Sequence, residues 1–191
     1  MRTRRSAVLQ TQRMVIVITG PIASGKSTIA RKLARELERT NVRVAVIDLD
    51  LIHDELKTDG SRPDEASWAL ARHEAATLAN AFLHEGVAVV VAEGSFNRPD
   101  DWAALAQRLD PGLDLLYVTL RVSFEEALRR AHGDPTRGKS RDPAFLGPYF
   151  AAVDRALAMV PETDLVIDTE EMPPATAAAA IAHLARQATS N

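Results

Sequence analysis

The stretch MVIVITGPIASGKSTIARKLARELER, residues 14–39, decides the reading of the fold. Its first six residues are apolar and mostly β-branched, as in a strand buried on both faces. Gly20-Pro21 ends that strand. From Lys26 to Arg39 the residues Ile29, Ala30, Leu33, Ala34 and Leu37 recur at helical spacing, which predicts a helix. Between the two lies Gly20-Pro21-Ile22-Ala23-Ser24-Gly25-Lys26-Ser27, which fits G-x-x-x-x-G-K-[ST] without a mismatch. In such a loop successive backbone N–H groups turn toward phosphate oxygens, and the helix start adds its positive end. The expected nucleotide contacts are Gly20, Ala23, Ser24, Gly25, Lys26, Ser27 and Thr28. Lys26 reaches the β- and γ-phosphates, the Ser27 hydroxyl binds Mg²⁺, and Thr28 bonds the α-phosphate.

Working outward, strands and helices alternate. Strands are expected at 42–47, 87–92, 113–120 and 164–168, and helices at 51–57, 65–84, 99–109, 124–131, 144–160 and 174–187. Ser123 caps the 124–131 helix, with Glu126 at the capping-box position. Near-continuous apolar strands joined by helices predict an α/β fold, a parallel five-stranded sheet flanked by helices on both faces. Ligands in such sheets bind beyond the carboxyl ends of the strands. Gly20, Asp48, Asp50 and Glu93 all stand just past strand ends, so one cleft should gather them.

Composition narrows the function classes. A chain of 191 residues suits a single domain, here 14–191, preceded by a basic tail over 1–13 with Arg2, Arg4, Arg5 and Arg13. Met14 is itself a candidate start. A net charge of −3, with four cations in that tail, argues against a nucleic-acid partner. The absence of cysteine excludes disulfides, thiolate metal sites and thiol nucleophiles. The apolar runs are too short for a membrane span, and the N-terminus lacks the plan of a secretory signal. A cytoplasmic protein, monomer or homodimer, is expected.

The second predicted strand runs into VIDLDLIH, residues 46–53. With the phosphate loop, this Asp48-Leu49-Asp50 segment resembles the P-loop small-molecule kinases, among them shikimate kinase, gluconate kinase, adenylylsulfate kinase and chloramphenicol phosphotransferase. The resemblance implies a P-loop NTPase fold that binds ATP and Mg²⁺. It makes Asp48 a residue of the Mg²⁺ shell and Asp50 the catalytic carboxylate that orients the acceptor hydroxyl. Glu93 and Gly94, at the third strand end, then contact the acceptor, Glu93 by its carboxylate and Gly94 by leaving space. The family places a mobile lid after the fourth strand, here about 132–143. Arg130 then lies near the nucleotide and Arg137 is the preferred lid arginine. Asp168 and Thr169 edge the adenine site.

The implied reaction moves the γ-phosphate of Mg-ATP to a hydroxyl of a small metabolite or antibiotic. Two alternatives stay open at this level. One is an ATPase or regulatory module without an acceptor, in which Glu93 polarises water. The other is a nucleoside kinase. Only Arg62 and Arg72 occur between Leu51 and Leu83, which argues against a nucleoside monophosphate acceptor. The chain has no N-K-x-D segment to read guanine. His53 is expected at the surface, and Trp68 and Trp102 as packing residues on helices.

Overall fold

A computed structural model describes residues 13–56, 64–160 and 163–188. The basic tail up to residue 12 and the loop over 57–63, with Arg62, lie outside the described residues. Five strands, β1 (Met14–Thr19), β2 (Val44–Asp48), β3 (Val89–Glu93), β4 (Asp114–Arg121) and β5 (Leu165–Asp168), form one sheet in the order β2-β3-β1-β4-β5. Every pairing is parallel. The expected α/β architecture is therefore present.

Among the described residues, six helices lie between the strands and a seventh follows the last: α1 (Lys26–Glu38), α2 (Leu49–Leu56), α3 (Glu65–His84), α4 (Pro99–Ala106), α5 (Phe124–His132), α6 (Pro143–Leu157) and α7 (Pro174–Ala188). Alternation along β1 sends Met14, Ile16 and Ile18 to a core shared with α1 and α7. Val15 and Val17 go to a second core built with α3 and α4. Both faces of the central strand are thus covered, which is why its sequence is apolar without alternation. Each of these fully buried aliphatic side chains contributes on the order of 1.5–3 kcal/mol.

Register sets the cleft. Ile18 stands beside Glu93, and Glu93 beside Asp48, so β1, β3 and β2 end in line. Two local expectations change. The helix after β2 starts at Leu49 rather than Leu51, because Asp48 Oδ1 accepts from the Asp50 and Leu51 N–H groups and so caps it. At α5, Ser123 Oγ accepts from the Glu126 N–H, but the Glu126 carboxylate does not complete a capping box. It is held by Arg129 and Arg130, and the Ser123 N–H donates instead to Glu170 Oε1 at 2.6 Å. Between α5 and α6 the chain makes a single 3₁₀ turn at Lys139–Arg141, in a stretch where the sequence shows no periodicity.

Candidate active site

Gly20 opens the phosphate loop with φ +144°, and a Cβ there would meet the Leu120 carbonyl oxygen at 2.5 Å. Glycine is required by that close approach of the loop to β4. Gly25 sits at φ +94° immediately before α1, and Ala23 at φ +63°, so the loop curls tightly around the helix start. Lys26 Nζ donates to the carbonyls of Gly20 and Pro21 at 3.0 and 3.1 Å, folding back over the loop. Ser24 is buried and its Oγ has no partner.

A cleft of about 320 Å³ opens over this loop. The expected residues Ala23, Gly25, Lys26, Ser27, Thr28, Asp48, Asp50 and Arg137 line it together. Glu93 is bonded to the Ser27 side chain, and Gly20 stands at the start of the loop against Leu120. Arg31 and Asp134 line the cleft as well, and the sequence reading missed both. Arg31 stands one helical turn beyond Ser27, a spacing that puts it on the same side of α1. Asp134 pairs with Arg137 at 3.2 Å and accepts from Thr136, which orders the segment carrying Arg137.

Charge is concentrated here. Burial pushes the Lys26 pKa down; Asp50, Glu93 and Asp48 oppose this, while Arg137 adds to it. The Asp50 side chain touches solvent, yet the surrounding protein raises its carboxyl, with Lys26 pulling it back and Asp48 and Asp54 adding. Glu93 is pushed up to about 7, first by burial and then by Asp48, against the hydrogen bond from Ser27. Among the described residues no three His, Cys, Asp or Glu side chains group as a metal cage. The Ser27 hydroxyl and Asp48 carboxylate that line the cleft are donors of the kind that fit Mg²⁺, which is held by one or two such groups together with phosphate oxygens and water.

Other expected residues fall elsewhere. Arg130 is taken up by the scaffold: its Nε donates to Glu126, Nη1 to Thr169 Oγ1 and the Ala23 carbonyl, and Nη2 to the Thr169 carbonyl. It ties the β5–α7 loop to the phosphate loop, and most of its N–H groups are already engaged. Gly94 is buried at φ +150°, and a Cβ there would lie 2.5 Å from Leu49 Cβ. The space it leaves is filled by Leu49, the first residue of α2, so packing of that helix accounts for the glycine. His53 is not a surface residue. It is 1% exposed, stacked on Trp68 with centroids 3.7 Å apart, and bonded to Ser67 Oγ.

Close enough to Asp50 to feel its charge, but not among the residues lining the cleft, side chains from distant segments form a hydrogen-bonded group. Tyr149 of α6 packs against the small cluster of Ala23, Ala127, Leu146 and Phe150. Its hydroxyl bonds the Ile22 backbone and the side chains of Ser95 and Asn97, and its pKa is pushed up to about 12, first by burial and then by Asp50. Asn97 Oδ1 accepts from Thr19 Oγ1 at 2.9 Å, and Thr19 Oγ1 accepts from the Phe96 N–H. No sequence signal separates Tyr149 from the buried Phe150 and the exposed Phe145 near it.

The fold and cleft define a class: a parallel α/β protein that binds nucleotide phosphates at the end of its central strand. Residues 15–144 match the family model described as an AAA domain. The shikimate kinase of Pseudomonas entomophila (strain L48) is 31% identical over 166 residues, covering 83% of this chain and 88% of that protein. The adenylyl-sulfate kinase of Bacillus pumilus (strain SAFR-032) is 28% identical over 169 residues, 83% of this chain and 77% of its own. The APS kinase of Mycobacterium tuberculosis, solved in complex with AMPPNP and APS, superposes with a TM-score of 0.70 at 20% identity, covering 92% of this chain and 98% of that one. The chain belongs to the P-loop small-molecule kinases of the AAA domain family. No helix among the described residues is long and apolar enough to cross a membrane.

Proposed function

We propose that this chain transfers the γ-phosphoryl group of ATP to a hydroxyl of a small molecule, with Asp50 orienting that hydroxyl. The observation that carries the reading is Asp50 in the first turn of α2, lining the same cleft as Lys26, Ser27 and Arg137. Phosphoryl transfer needs in-line positioning and charge neutralisation more than a strong base. Lys26 and Arg137 supply cations to the transferring group, and Gly20, Ala23, Ser24, Gly25 and Thr28 carry the polyphosphate on the loop and helix start. Ser27 and Asp48 would hold Mg²⁺, which neutralises phosphate charge when bound. The segment over 132–143 acts as the lid that brings Arg137 onto the nucleotide and excludes water. Glu93 holds a second acceptor hydroxyl or a bound water.

Acceptor-dependent ADP release tests this. Asp50→Asn should lower it about 10²-fold or more while nucleotide binding, followed with a fluorescent ATP analogue, changes little. ADP release unaffected by any acceptor and by Asp50→Asn would refute the reading.

The raised Glu93 carboxyl supports a second reading, an ATPase in which Glu93 takes a proton from water. Under that reading Glu93→Gln abolishes acceptor-free hydrolysis and Asp50→Asn does not.

A further inference from the structure

Among the described residues, three cations line the cleft over the phosphate loop, and they differ in what already holds them. Lys26 Nζ is folded onto the Gly20 and Pro21 carbonyls. Arg137 Nε pairs with Asp134 Oδ2 at 3.2 Å. Arg31 is exposed and forms no hydrogen bond or ion pair with any described residue. The three aspartates of the cleft, Asp48, Asp50 and Asp134, are turned to other groups. Asp48 Oδ1 caps α2 through the Asp50 and Leu51 N–H groups, and Asp134 is shared by Arg137 and Thr136. The cation that acts most on Asp50 is Lys26.

The place of Arg31 on α1 says where a partner would sit. It follows Ser27 by four residues and Thr28 by three, so these side chains share one side of the helix. Helical side chains lean toward the N-terminus, which lays the Arg31 guanidinium over the first turn of α1. That turn and the curled loop before it present N–H groups to an anion, and Ser27 and Thr28 line the same cleft. A guanidinium is planar, always charged and shaped to grip phosphate oxygens. With no counterion of its own among the described residues, it is ready for an anion that arrives with the ligand. The next residue of this row, Arg35, is also exposed but does not line the cleft.

We infer that Arg31 binds a phosphate oxygen of the bound nucleotide, adding a cation from the second turn of α1 to Lys26 and Arg137. This rests on the nucleotide half of the reading above and holds whatever the acceptor is.

The test is calorimetric binding of a non-hydrolysable ATP analogue with Mg²⁺ to the full chain, without acceptor. Arg31→Ala should raise its Kd about tenfold, the scale of one charge-assisted hydrogen bond partly screened by water. Arg31→Lys keeps the charge but not the fork, and its Kd should lie between the two. Arg35→Ala removes the same charge one turn away and should shift the Kd less than about twofold, which separates contact from long-range attraction. Both arginines are exposed and alanine is the stronger helix former, so these variants should fold as the parent does. A Kd for Arg31→Ala within about twofold of the parent overturns the inference, as does an equal loss in Arg35→Ala. So does a change confined to the KM of an acidic acceptor in ADP-release assays, which would place the arginine on the acceptor. A parent chain that binds no nucleotide refutes the nucleotide reading as well. Normal parent binding with Arg31→Ala unchanged refutes the contact alone.

Discussion

The two halves of the cleft are built in different ways. The phosphate half is one continuous run, Gly20 to Thr28, whose contacts come from backbone curvature and the start of α1. The half proposed to take the acceptor has Asp50 from α2, and near it a group assembled from Asn97 of the β3–α4 loop and Tyr149 of α6, on a loop braced by Arg72, Arg98, Glu65 and Asp101. A local loop survives substitution of its side chains as structure and fails as chemistry. An assembled wall fails as structure when its braces are removed.

Arg72→Ala is the largest expected break of that contrast. It leaves Asp101 buried with a partly exposed Arg98 as its remaining cation, so unfolding stability should fall by about 3–5 kcal/mol in urea titration. Lys26→Ala should do the opposite. Its ammonium is burdened by burial, so thermal stability should hold, while ATP turnover drops about 10²–10³-fold. If Lys26→Ala unfolds the protein as readily as Arg72→Ala, the distinction between the halves fails.

Gly94→Ala joins the two halves through α2. The added methyl would clash with Leu49 at a backbone conformation that favours glycine, costing about 1–3 kcal/mol. In a Leu49→Ala background the steric part of that cost should largely disappear, a non-additivity that a double-mutant cycle reads directly. If the costs simply add, Gly94 is not shaped by Leu49.

The smallest effect is expected at the Glu126 clamp. Hydrogen bonds from Arg129 and Arg130 hold the Glu126 carboxyl down to about 2 in the folded state, below its ordinary value of 4.5. Its stabilisation is therefore present above pH 4.5 and lost as pH falls toward 2. Glu126→Gln should flatten that part of the acid-unfolding profile and leave stability at pH 7 changed only slightly, because its main partner Arg129 is largely exposed to solvent.

Much of the architecture was legible because periodicity is local. The 65–84 helix was bounded correctly from its polar entry and Gly86, and the central strand from its unbroken apolar run. The phosphate loop was legible for the same reason, since its ligating groups are neighbours in the chain. His53 was misread because its burial comes from Trp68, fifteen residues away on another helix. Arg130 was read as a nucleotide contact, and the structure adds that its hydrogen bonds join three elements far apart in the chain: α5 itself, the phosphate loop and the loop after β5 at Thr169.

The sequence by itself determined the parallel α/β plan, the loop at Gly20–Ser27 and the carboxylates at two strand ends, because strand periodicity, loop curvature and helix starts depend on near neighbours. Only the tertiary structure decided which side chains stand near Asp50, and that Gly94 makes room for Leu49. It also decided that Arg72 and Arg98 spend their charge on Glu65 and Asp101. Those outcomes depend on helix placement and burial, which bring together residues that carry no mark of each other along the chain.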